Sequence, residues 1–148
     1  MVDDAAMQRG GVPRGADVAG KDVWTMTEFR LPLPPSVNSL YANVPGKGRI
    51  KSDRYRKWLS AAGWAIKEQR PKPIKGDYAL WIYCERPDRR KRDIGNLEKA
   101  VSDLLVKHGV IGDDSLAAEI HLYWSGEGRE CVVRVEEAPV DHKGFLDD

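Results

Sequence analysis

The chain has 148 residues, enough for one domain with a real core and too few for a second domain of ordinary size. Charged side chains make up 32% of it, yet the formal net charge is +1, so bulk charge announces no polyanionic partner and any such argument must rest on local clusters. No apolar run approaches the roughly 20 residues of a membrane helix, and the two cysteines, Cys84 and Cys131, are too few and too far apart for a zinc site or a disulfide scaffold.

Residues 1–23 lack apolar periodicity and the hydrophobic centre of a secretory signal, and read as a disordered leader. The domain is expected over residues 24–138, and a flexible tail over 139–148. Thr25 to Leu31 alternates as a strand should, and Pro32, Pro34 and Pro35 stop it. Residues 36–41 read as a polar loop. Gly46-Lys47-Gly48-Arg49 lacks the spacing of a nucleotide-binding P-loop and reads as a flexible basic turn that could touch a DNA backbone.

From Ser52 or Asp53, both good N-caps, Tyr55, Leu59, Ala62 and Ile66 recur on one helical face, and Pro71 and Pro73 close that helix near Gln69. Residues 76–85 are aromatic and β-branched, too apolar to face water on both sides, and predict a central strand. A second helix is expected from Asp93 as N-cap to Gly109 as the residue beyond its end, with Leu97, Val101, Leu104 and Leu105 as its buried stripe. Asn96, Lys99 and Asp103 fall within about 60° of one another on the opposite face, at about 100° per residue. Residues 120–124 and 131–135 read as two strands joined as a hairpin through Ser125-Gly126-Glu127-Gly128. Cys84 and Cys131 lie in apolar stretches and are expected to be buried free thiols in a reducing cytoplasm.

Taken singly, the polar features are ordinary. Asp93 alone is a helix cap, Asp113-Asp114 alone a turn, Lys99 alone a solvated lysine, and the cations of residues 86–92 a solvated loop. In order along the chain they place carboxylates able to hold a hard cation beside cations able to hold phosphate, as cutting a nucleic-acid backbone requires.

Pro87-Asp88-Arg89-Arg90-Lys91-Arg92-Asp93, followed by Asn96, Lys99, Asp103 and Asp113-Asp114, resembles the signature of the RusA-type Holliday junction resolvases. Residues 31–38 with Tyr41, Gly48-Arg49 and Ser52 resemble the N-terminal strand and loop of that family. The similarity covers about residues 27–137. It implies an α+β fold, a mixed sheet covered by two main helices, in a homodimeric, magnesium-dependent endonuclease of a bacterium, phage or prophage, acting in the cytoplasm on four-way or otherwise branched DNA.

Carried over by motif, Asp93 and Asp114 would hold Mg²⁺, or Mn²⁺ in its place, with Asp113 as an adjacent metal ligand, and Lys99 would bind the scissile phosphate. Arg86, Arg89, Arg90, Lys91, Arg92 and Asn96, with Lys47 and Arg49, would grip DNA without reading base sequence. Family members often carry a second aspartate two residues after the first, where this chain has Gly95. Asp103 and Glu119 are the alternative oxygen donors, but Asp103 lies about 15 Å further along the helix, so its expected role is to orient Lys99. Gly95 leaves two readings open, an active junction-cutting nuclease or a branched-DNA-binding protein of the same fold that cuts poorly.

Overall fold

The structure is a computed structural model that describes residues 25–138; the expected leader and tail lie outside the described residues. In chain order the elements are β1 (Met26–Pro32), a 3-10 turn (Val37–Ser39), β2 (Tyr41–Val44), β3 (Gly48–Lys51), α1 (Asp53–Gln69) and β4 (Tyr78–Arg86). A 3-10 turn (Ile94–Leu97), α2 (Glu98–Lys107), a 3-10 turn (Asp114–Leu116), β5 (Ala117–Glu127) and β6 (Glu130–Glu137) complete the domain. Four strands form one sheet in the order β1-β6-β4-β5, antiparallel except for the parallel pair β4 and β5, while β2 and β3 make a separate hairpin. The expected α+β class, mixed sheet and two main helices are therefore present.

Alternation along the strands decides which face the helices cover. Phe29 and Leu31 of β1, Leu80 and Ile82 of β4, and Val133 and Val135 of β6 share one buried cluster with Tyr55, Trp58, Ala62 and Ile66 of α1 and Val101, Leu104 and Leu105 of α2. Each large apolar side chain removed from water there contributes roughly 1.5–3 kcal/mol. Trp58 takes the core place expected for Leu59, which is only partly buried. Its ring covers more apolar area, and its indole Nε1 donates to the Pro32 carbonyl at 2.8 Å. Ser52 is the cap of α1, accepting from the Tyr55 amide at 3.1 Å.

The opposite face carries a smaller buried cluster of Ala79, Trp81 and Tyr83. His121 stacks on Trp81 and Tyr123 on Tyr83, at ring separations of 4.8 and 5.1 Å. Cys84 and Cys131 are buried and free, as expected, and they sit directly across from one another on β4 and β6. Their mutual hydrogen bond and burial push the Cys131 thiol well above its usual pKa, so it is no ready nucleophile. The edge of β1 is covered in part by the Gln69 side-chain amide, which donates to the Arg30 carbonyl at 2.6 Å and accepts from the Arg30 amide at 2.8 Å.

The expected hairpin between residues 120–124 and 131–135 does not exist. β5 and β6 straddle β4, which lies between them and pairs with both. Gly128 and Arg129 carry the chain over the end of β4; the Gly128 amide donates to the Arg86 carbonyl and the Glu130 amide to the Glu85 carboxylate, each at 3.0 Å. Gly128 holds φ at +146°, and a Cβ placed on it would overlap the Glu85 carboxylate. Gly46, at φ +80°, has open space around it instead. Gly128→Ala is therefore expected to destabilise the protein by about 1–3 kcal/mol, and by more than Gly46→Ala, in urea unfolding. Equal costs for the two substitutions would show that the crossing does not depend on the missing side chain.

Candidate active site

Residues 87–92 leave the end of β4 as a loop that the sequence presents simply as a dense run of cations. The structure divides them. Asp88 accepts from the Arg90 amide at 3.1 Å, from Arg92 Nε at 3.1 Å and from Arg92 Nη2 at 2.6 Å, with Arg90 Nε at 3.3 Å. The Arg92 guanidinium in particular holds the Asp88 carboxyl well below the usual carboxylate range. Arg86 lies over the Trp124 ring, 4.5 Å from its centre. Arg89 and Lys91 form no ion pair among the described residues. Asp88 thus organises the loop by pairing with two of its arginines at the surface, a role that its place in the motif did not reveal.

The second helix does not start at Asp93. Asp93 caps a 3-10 turn, its Oδ1 accepting from the Gly95 amide at 3.0 Å and its carbonyl from the Asn96 amide at 3.0 Å, and α2 proper begins at Glu98. The tighter turn moves Asn96 off the α-helical spacing assumed for it, and Asn96 is half-buried. Leu97, Val101, Leu104 and Leu105 are buried as expected, and Gly109 at φ +73° ends the helix.

Lys99 and Asp103 do share the outer face of α2. The Lys99 amine lies 3.3 Å from Asp103 Oδ1, and the hydrogen bond to Asp103 raises its pKa, with the charges of Asp114 and Glu98 adding to the shift. Asp114 belongs to the 3-10 turn packed against α2. Asp113 caps that turn, its carboxylate accepting from the Ser115 amide at 3.1 Å and from the Ser115 hydroxyl, bonds that lower its pKa. Its Oδ2 thereby caps the turn that carries Asp114. Glu119 points to the sheet face away from the helices, where it meets His121 Nε2 at 2.8 Å, so it takes no part in this corner.

Two residues that the sequence offered no reason to single out join Asp114 and Lys99. Tyr78 is fully buried in the cluster that α2 also packs into, and its hydroxyl has no hydrogen-bond partner among the described residues. Burial first, then the charges of Asp114, Glu98 and Asp113, push its pKa up to about 12. Glu98, in the first turn of α2, adds its charge to the shifts of both Tyr78 and Lys99, and one of its oxygens accepts from the Ser102 hydroxyl. It follows Gly95 by one turn. Among the described residues, no group of three or more His, Cys, Asp or Glu side chains is placed to hold a metal ion.

Lys47 and Arg49 lie on the β2–β3 hairpin, which the sequence presented as a loop and a flexible turn. The Arg49 guanidinium sits 4.3 Å from the centre of the Tyr41 ring, and Tyr41 meets Tyr55 edge-on at 5.9 Å. Burial, then the charge of Asp103, then Tyr41 raise the Tyr55 pKa.

This arrangement falls within a known class, the endodeoxyribonucleases. Residues 32–136 match the family model described as endodeoxyribonuclease RusA, and the chain belongs to that family. It is 36% identical over 110 residues to the crossover junction endodeoxyribonuclease RusA of Aquifex aeolicus strain VF5, covering 70% of this chain and 82% of that one. It is 31% identical over 126 residues to the crossover junction endodeoxyribonuclease of Enterobacteria phage 82, and 30% identical over 126 residues to that of Escherichia coli strain K12, covering in both cases 79% of this chain and 87% of the relative. No helix among the described residues is long and apolar enough to cross a membrane.

Proposed function

We propose that this protein is a Mg²⁺-dependent endodeoxyribonuclease that resolves Holliday junctions and related branched DNA by paired phosphodiester nicks. The observation that carries the reading is that the turns bearing Asp93 and Asp114 both pack against α2, the helix on which Lys99 is paired with Asp103. Asp93 and Asp114, with Glu98 as a further carboxylate, would supply oxygen donors of the kind a hard cation prefers, although among the described residues no three of them gather to hold an ion by themselves. Mg²⁺ asks for few protein ligands, since one or two carboxylates and the phosphates of the substrate suffice, so an open corner fits it better than a cage. Mn²⁺ has the same oxygen preference. When bound, the ion would polarise the scissile phosphate and neutralise charge developing on it.

The chain's own residues supply the rest. Lys99, steadied by Asp103, binds the scissile phosphate, and Asp113 holds Asp114. Arg86, Arg89, Arg90, Lys91, Arg92 and Asn96, with Lys47 and Arg49 on the hairpin, bind DNA backbone, giving affinity that falls with salt and carries no base readout. The enzyme acts in the cytoplasm of a bacterial host, encoded by the host, a phage or a prophage; relatives come from both bacteria and a phage. The test is nicking of a synthetic four-way junction with Mg²⁺ and with excess chelator. Paired nicks only with Mg²⁺ support the reading; metal-independent cutting, or none, overturns it. Tight junction binding without cutting at any Mg²⁺ concentration favours the second reading, a branched-DNA-binding protein disabled by Gly95.

Paired nicks need two sites, and a homodimer supplies them. Support comes from β5, an edge strand of 11 residues whose Ile120 and Tyr123 are 42% and 40% exposed. The dimer is expected to bury more than roughly 1,000 Å² and to persist in sedimentation at micromolar protein. A monomer that still binds junctions would remove it.

A further inference from the structure

A cleft of 810 Å³ opens between the proline segment after β1, the first turns of α1, the basic loop and the β5–β6 crossing. Its floor includes Leu33, Trp58 and Leu97, and its rim carries Arg54, Lys91 and Arg129 from three separate segments. None of these three cations is ion-paired among the described residues. The cleft is built rather than incidental, because the Leu33 amide donates to the Arg129 carbonyl at 2.9 Å and the turn at Val37–Ser39 packs against the Ile94–Leu97 turn. It adjoins the Asp93 corner through Lys91 and Arg92.

A phosphate track alone needs cations and no apolar floor, whereas a base alone needs an apolar or aromatic floor and no cluster of cations. This cleft has both, in a volume typical of small-ligand sites. We propose that it takes one unstacked nucleotide of the branched substrate, its base on Leu33, Trp58 and Leu97 and its flanking phosphates on Arg54, Lys91 and Arg129. Branch points interrupt base stacking, so extruding a nucleotide there costs less than from an intact duplex. The cleft thereby selects branched over linear DNA without reading sequence. The assignment rests on the junction-nuclease reading above.

The test measures binding, without Mg²⁺, to four-way junctions that each lack one base near the branch. Wild-type protein is expected to lose about tenfold in affinity when the base that enters the cleft is missing, in line with the worth of stacking one base. Leu33→Trp, which fills the cleft, is expected to bind intact and abasic junctions alike. Should that variant fold poorly, Arg54→Ala on the exposed surface of α1 decides: it is expected to weaken junction binding severalfold and leave linear duplex binding unchanged. The proposal is overturned if no abasic position matters to the wild type, if Leu33→Trp folds and keeps the full abasic penalty, or if Arg54→Ala weakens junction and duplex equally. A wild-type protein that does not prefer junction to duplex would instead overturn the junction-nuclease reading itself.

Discussion

Asp93→Asn and Asp114→Asn are each expected to reduce cleavage of a four-way junction by more than about a hundredfold while junction binding is retained or tightened. Residues one shell away from a metal already cost 10–100-fold when changed, so a carboxylate that holds the ion should cost more. Binding survives because each change removes a negative charge that repels phosphate. The fold survives too: an asparagine in place of Asp93 would keep an oxygen to accept from the Gly95 amide, and the turn around Asp114 is capped by Asp113. Gel-shift and nicking assays on the same junction separate the two effects. Near-normal cutting by either variant would mean that the carboxylate has been given the wrong role.

The second large effect concerns the turn between Asp93 and Glu98. Gly95 has no positive φ, and a Cβ on it would meet only Asp93 Oδ1, at 3.3 Å, so a side chain is admitted once Asp93 gives way slightly. No part of the described chain approaches Gly95 more closely, so a neighbouring backbone does not require glycine there, and close approach of DNA is the alternative to a missing ligand that metal titration separates. Glu98 follows one turn later, its charge acting on the same Tyr78 and Lys99 as that of Asp114, and would be the substitute donor. Glu98→Gln is expected to raise the Mg²⁺ needed for half-maximal nicking by about tenfold or more, and Gly95→Asp to lower it. Combining the two should restore the wild-type requirement, which a purely structural loss at Glu98 would not allow. Metal titrations of nicking rate, with calorimetric Mn²⁺ binding as a readout independent of turnover, decide the matter. A folded Gly95→Asp protein that cuts no better at any Mg²⁺ concentration sinks this account.

Long periodic segments were legible from the residues alone. β4 and α1 carry unbroken apolar patterns bounded by glycine or proline, and both appear where expected. The β5–β6 link misled because Gly126 and Gly128 mark a tight reversal, and a reversal looks the same locally whether its strands pair or straddle a third. The β2–β3 hairpin was missed because its strands are short and almost wholly exposed, leaving no alternation to read. In the site, Asp93, Lys99, Asp103 and Asp114 stood out by spacing and family likeness. Glu98 did not, since its role depends on a turn that returns from residue 114, and Asp88 did not, since only the folded loop turns Arg90 and Arg92 toward it.

The order of strands has a bearing on how the protein is made. β6, the last strand among the described residues, is interior: it pairs with β1 on one side and β4 on the other, and the Glu137 amide donates to the Thr25 carbonyl at 2.9 Å. A nascent chain halted before residue 130 has β1 with nothing to pair to and β4 bare along one edge. The sheet therefore closes only after the C-terminal strand has left the ribosome, with its first and last residues meeting as the final long-range contacts. Aborted translation products would have no closed sheet to support the turns at Asp93 and Asp114, so the nuclease fold emerges from synthesis all at once.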